Sequence, residues 1–125
     1  MDNTIIVFQG DNGPEKGGNA FPLRGEKSSF QEGGIRVPGF ITGPGIQPGS
    51  WLDRHNYIHL VDWLPTLLDF AEYGSLSTLT TRHDWDGLSF KNVLTGQGRT
   101  PRTSLMHSVN PKISVSRIMK LFKFK

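Results

Sequence analysis

Asp11-Asn12-Gly13 places a carboxylate and an amide oxygen side by side, straight after the apolar run Thr4 to Gln9. Both are hard oxygen donors, a pairing that suits calcium or magnesium better than a soft metal. In open α/β sheets ligands gather beyond the carboxyl ends of strands, where this pair is expected to lie. The same tripeptide is also a common turn sequence, so the residues alone leave both readings open. A second group follows in Gly17-Gly18, Pro22-Leu23-Arg24-Gly25-Glu26-Lys27 and Glu32-Gly33-Gly34-Ile35-Arg36-Val37-Pro38. Glycine lets backbone approach a ligand closely, and the interleaved cations can meet an anion or the acids Glu26 and Glu32. For Arg24, Arg36 and Glu32, internal ion pairing that anchors a long loop is the expected role, whereas composition alone leaves Lys27 open. His55, His59, His83 and His107 show no metal-ligand spacing with a nearby acid, and a surface or structural role is expected for each. The chain has no cysteine, which excludes disulfides, thiolate metal sites and cysteine nucleophiles.

These groups need elements to hold them. Thr-Ile-Ile-Val-Phe-Gln at 4–9 predicts a strand buried on both faces of a parallel sheet. Residues 35–42 predict a second strand, closed by Gly43-Pro44-Gly45 and Pro48-Gly49, with a short helical turn near Ser28 to Gln31 before it. Leu64, Leu67, Leu68 and Ala71 fall at i, i+3, i+4 and i+7, which predicts a helix from Asp62 to Tyr73. Asp62 suits its N-cap, Pro65 its first turn and Gly74 its stop. A shorter helix is expected at Ser89 to Leu94, stopped by Gly96, and a further strand at Ser104 to Val109. Strands alternating with helices point to an α/β fold with a largely parallel sheet.

Composition sets the bounds. The chain has 125 residues, 35% of them hydrophobic, with 15 Gly and 8 Pro, enough for one core and too rich in turn formers for a helical bundle. The formal charge of +3 is uneven: of 14 bases, five lie in residues 112–125 without an acid, leaving nine bases against eleven acids in 1–111. The basicity belongs to a tail, so no specific nucleic-acid partner is expected. No apolar run is long enough to span a bilayer, and residues 1–20 show no secretion-signal pattern.

Taken in order, several elements resemble the sulfatase family, especially arylsulfatases of the arylsulfatase B type. They are Ile5-Ile6-Val7-Phe8 with Asp11-Asn12-Gly13, the Pro22 to Lys27 and Glu32 to Pro38 elements, Val61-Asp62-Trp63-Leu64-Pro65-Thr66-Leu67-Leu68, Asp86-Gly87 and Leu105-Met106-His107. The resemblance covers residues 4–111 and implies a partial sulfatase catalytic domain over 1–111, followed by a basic tail at 112–125 that departs from the family. It implies an α/β fold, a portion of an alkaline-phosphatase-like mixed, largely parallel sheet flanked by helices. It also implies that Asp11 and Asn12 are calcium ligands and that Lys27 contacts the sulfate of a sulfate-ester substrate, with sulfated glycosaminoglycan among the candidates. Lysosomal or secreted location is implied likewise. Gly10 stands where the family usually has Ser or Thr, and Pro14 replaces a frequent second glycine; neither change removes a donor oxygen.

Sulfatases of this type use a formylglycine nucleophile made within a Cys/Ser-x-Pro-x-Arg motif, which this sequence lacks. The family's Asp-Asp metal pair and further sulfate-contacting residues are not found either. Calcium takes about six to eight oxygens, and Asp11 with Asn12 offers about three at most, so the calcium set is incomplete here. The expectation is therefore a fragment of a calcium-dependent sulfatase, inactive alone. The alternatives are a non-catalytic sulfated-glycan-binding protein or a fragment of a related phosphodiesterase or phosphonate hydrolase.

Overall fold

In the computed structural model the described residues are 2–49, 52, 56–73, 85–110 and 113–116. The apolar run forms strand β1, Ile6–Gln9, and the chain returns to it as β2, Gly39–Thr42. The two pair antiparallel, with Val7 opposite Ile41 and Phe8 opposite Phe40. A parallel sheet was expected around β1; the neighbour it has among the described residues, β2, is antiparallel. The intervening loop closes at the end of the sheet where it opened: Gly10 N–H donates to Pro38 O at 2.9 Å, extending the ladder, so β2 must run back along β1. Nor is β1 buried on both faces. Phe8 is exposed and stacks on the Phe40 ring at a centroid distance of 5.2 Å, while Val7 and Ile5 pack inward with buried Ile41. Alternation by side is what a half-covered sheet produces.

Helix α1, Glu32–Ile35, takes up four residues before β2. It falls after the turn expected at 28–31 and claims Ile35, so the second strand is shorter than the 35–42 run suggested. A 3₁₀ turn at Leu60–Asp62 leads directly into α2, Trp63–Phe70. Pro65 sits in the first turn of α2 and is buried. The expected leucine stripe faces outward: Leu64 is 56% exposed and Leu67 37%, whereas Trp63 and Thr66 are buried. The core lies on that other side. Trp63 meets the Phe90 ring edge-on at 4.9 Å, and Ile41, Ile58 and Leu94 complete the buried cluster. Gly74 lies outside the described residues.

Helix α3, Lys91–Leu94, occupies most of the 89–94 segment and stops at Gly96, whose φ of +83° is left-handed. Strands β3, Met106–Asn110, and β4, Ile113–Ser116, form an antiparallel pair with an irregular register between Met106 and Ser108. Thus the start of the basic tail continues a hairpin, and residues 117–125 lie outside the described chain. Both described sheets are two-stranded. No described helix is long and apolar enough to cross a membrane.

Candidate functional site

Asp11 and Asn12 follow β1 directly, and both are exposed. Asn12 N–H donates to Asp11 Oδ1 at 2.9 Å, which folds the carboxylate over the turn. The Asn12 side-chain NH₂ donates to Gly13 O at 2.9 Å. With the amide nitrogen engaged on Gly13 O, Asn12 Oδ1 is the side-chain acceptor, the atom type a hard cation would use. Gly13 is buried and its N–H donates to Gly34 O at 2.9 Å. A Cβ at Gly13 would lie 1.8 Å from Gly33 O, so only glycine permits this approach.

The same junction carries Lys27. Gly33 N–H donates to Arg24 O at 2.7 Å, and a Cβ at Gly33 would lie 2.3 Å from Gly25 O. Lys27 N–H in turn donates to Pro14 O at 2.8 Å. The Lys27 backbone is thereby fastened two residues beyond Asn12, although fifteen positions separate Asn12 and Lys27 in the chain. The structure brings the backbones of all three sequence-predicted site residues, Asp11, Asn12 and Lys27, to one loop junction. The Lys27 ammonium lies 3.8 Å from Glu15 Oε2, and both side chains are well exposed. Exposed pairs of this kind contribute about 0–1 kcal/mol, so the ammonium can exchange Glu15 for another anion at small cost.

Arg36 and Glu32 pair internally at 3.0 Å, as expected for residues that anchor the loop. A cavity of about 370 Å³ opens beside the turn, with Asn12, Pro14, Phe21, Leu23, Arg36 and Val37 among its lining residues. Among the described residues no group of three or more His, Cys, Asp or Glu is placed to hold a metal ion. Asp11 and Asn12 have the right donor chemistry for calcium but form only part of a coordination sphere.

A second polar centre was only partly legible. Asp62 was expected to cap its helix, yet its carboxylate does other work. It is 1% exposed and accepts from His59 N–H at 2.8 Å, Leu88 N–H at 2.9 Å, Arg102 Nε at 2.8 Å and Arg102 Nη2 at 2.6 Å. Its backbone carbonyl accepts from Thr66 Oγ1, which accepts in turn from Phe90 N–H. Asp86 O also receives Arg102 Nη2, and Gly87 must be glycine because a Cβ would lie 2.2 Å from Val61 O. The hydrogen bond from Trp63 Nε1 to Gln9 Oε1 ties this corner to the end of β1, just before the Asp11 turn. Arg102 carried no sequence signal beyond its charge; its partner Asp62 was visible as a helix cap within Val-Asp-Trp, with nothing to mark it as an ion-pair partner.

His59 and His107 meet edge-on at 6.1 Å. Burial lowers the pKa of each below the ordinary 6.5; nearby Asp62 partly opposes this at His59, and Glu32 does so at His107. His55 and His83 lie outside the described residues.

Comparison with known proteins gives a consistent result. The family described as Sulfatase matches residues 1–73. Arylsulfatase J of Mus musculus is 33% identical over 112 residues, covering 88% of this chain and 18% of the relative. Arylsulfatase A of Homo sapiens is 36% identical over 111 residues, covering 84% and 20%. Choline-sulfatase of Rhizobium meliloti is 36% identical over 100 residues, covering 80% and 18%. The chain spans about a fifth of the length of these relatives. No solved structure gives a significant match.

Proposed function

The chain belongs to the sulfatase family, and from that premise we propose that it carries the metal-and-sulfate end of a calcium-dependent sulfate-ester hydrolase. In this reading Asp11 and Asn12 Oδ1 are calcium ligands and Lys27 contacts the substrate sulfate. The observation that supports it best is the 2.8 Å hydrogen bond from Lys27 N–H to Pro14 O, which returns the lysine element to the Asp-Asn turn. Calcium, when bound, supplies a fixed positive charge beside the sulfuryl group. The chain's own residues have separate tasks. Asp11 contributes formal negative charge to the cation site, and Asn12 contributes a neutral oxygen that sets its position. Lys27 presents a compact point charge that binds the sulfate and offsets the charge developing on its oxygens.

The 125 residues hold neither cysteine nor Ser-x-Pro-x-Arg, so the chain alone has no formylglycine nucleophile and is proposed to be inactive by itself. The parent enzyme is proposed to be of the arylsulfatase type, with the remaining metal ligands supplied by other parts of an alkaline-phosphatase-like domain. The relatives named above are all sulfatases, which favours this over the phosphodiesterase reading. The missing nucleophile keeps a non-catalytic, sulfated-glycan-binding role as the second reading.

The test replaces the matching segment of mouse arylsulfatase J with residues 4–110 and follows hydrolysis of 4-nitrophenyl sulfate. Lys27→Ala is expected to lower kcat/KM by about 10²–10³-fold, the size typical of losing one charge-stabilising donor. Asp11→Ala is expected to weaken calcium activation in the same chimera. Unchanged turnover in an active chimera carrying either substitution would remove that residue's role.

A further inference from the structure

The cavity beside Asn12 has a wall that metal binding and sulfate contact leave unused. Phe21 is 85% exposed, the most exposed of the large hydrophobic residues described. Its backbone is nevertheless held in place. Its N–H donates to Asn19 Oδ1 at 2.8 Å, and Leu23 N–H donates to Ala20 O at 2.8 Å, so hydrogen bonds bracket the aromatic residue on both sides. Phe21 lines the same cavity of about 370 Å³ as Asn12, with Pro14, Leu23 and Val37 supplying further apolar surface. Arg36, pinned to Glu32 at 3.0 Å, supplies a polar rim. That size and lining, mostly apolar with a few fixed polar groups, suit a small organic group. An exposed ring on a bonded loop can stack on a flat partner without first losing much conformational freedom.

We propose that Phe21 is a specificity-determining residue, the platform on which the ring of a ring-bearing sulfate ester stacks while its sulfate lies toward Asn12 and Lys27. The inference rests on the reading of Asp11, Asn12 and Lys27 as the sulfate end of the site. A ring gains the Phe21 face, an aryl ring by planar stacking and a puckered sugar ring through its C–H face; an acyclic alkyl sulfate presents neither. Because Phe21 is so exposed, its replacement removes the platform and little else.

The test measures binding of three esters to the 125-residue chain in calcium by saturation-transfer NMR titration: 4-methylumbelliferyl sulfate, N-acetylglucosamine 6-sulfate and ethyl sulfate. At least one ring ester is expected to bind about fivefold more tightly than ethyl sulfate. Phe21→Ala is expected to erase that preference and Phe21→Trp to keep it. The ring ester with the larger Phe21-dependent preference identifies the ring type. Equal affinity for all three esters, no binding of either ring ester, or a preference that survives Phe21→Ala would overturn the inference. Lys27→Ala separates it from the reading beneath it. Uniform weakening of all three esters supports sulfate contact by Lys27. A Phe21-dependent preference alongside unaltered sulfate binding in Lys27→Ala would leave the ring platform standing and remove the sulfate role.

Discussion

Asp11 and Asp62 are the same residue type at similar places, each beside the end of a regular element, and their surroundings give them opposite uses. Asp11 is exposed, and its described hydrogen bond is to the N–H of its own neighbour. Asp62 is buried and receives four N–H bonds from three separate segments. A carboxylate that is committed on both oxygens holds a structure together but has nothing left for a ligand. One that is exposed and lightly bonded contributes little to stability and can bind. The two regions are connected by the hydrogen bond from Trp63 Nε1 to Gln9 Oε1.

The largest expected effect comes from breaking the committed acid. Arg102→Ala leaves the Asp62 carboxylate buried without its bidentate partner, a loss of about 3–5 kcal/mol for pairs of this kind. Urea unfolding of Arg102→Ala beside Asp11→Asn checks it: the first should move the midpoint far down, and the second should change stability by less than about 0.5 kcal/mol. Similar shifts in both variants would dissolve the contrast between the two acids.

An intermediate effect is expected at the junction that aligns Lys27 with the turn. Gly33→Ala sets a methyl group 2.3 Å from Gly25 O and 2.7 Å from Arg24 O, both backbone atoms with little room to give. Overpacking of this kind costs about 1–3 kcal/mol. Amide exchange should quicken at Gly13 and Lys27 before it changes around Phe90, which would sharpen the division between loop junction and core.

The smallest effect is a pH dependence on the Asp62 side of the molecule. His59 and His107 have folded-state pKa values below the ordinary 6.5, chiefly through burial. The unfolded chain therefore binds protons more readily in the window below 6.5. Stability from these groups is full above that value and is lost as pH falls through the lowered folded pKa. Asp62 and Glu32 oppose the shift, while Arg102 and the neighbouring histidine reinforce it at His59. The urea midpoint should fall between about pH 7 and about pH 5, with a shallower fall in His107→Gln. An unchanged slope in that variant would show that His107 does not contribute.

Local physics made much of the chain legible. The β-branched run predicted β1, and Gly96 marked the end of α3 because a left-handed φ is cheap only without a Cβ. The helix after Asp62 was equally visible, but its inward face was not. Leu64, Leu67 and Leu68 satisfy helical spacing, and so do Trp63, Thr66 and Phe70; the second set lies toward the core. Phe90 and Ile41 decide between them, and both are distant in sequence. Antiparallel pairing was hidden for a related reason, since strand composition does not state where a loop returns.

By itself, the sequence determined the chemical types and order of the site groups: Asp-Asn-Gly after a strand, a Gly-x-Lys element, a Glu-Gly-Gly element, and no cysteine. Those are covalent facts, enough to mark the family resemblance that the comparisons then established. Only the tertiary structure decided that Lys27 is fastened beside Asn12, because that depends on glycine backbones from three segments approaching closer than any side chain would allow. Likewise it decided that Asp62 is buried with Arg102 while Asp11 stays open. Both are aspartates in the chain, and burial, with the donors that burial brings, is a property of the fold.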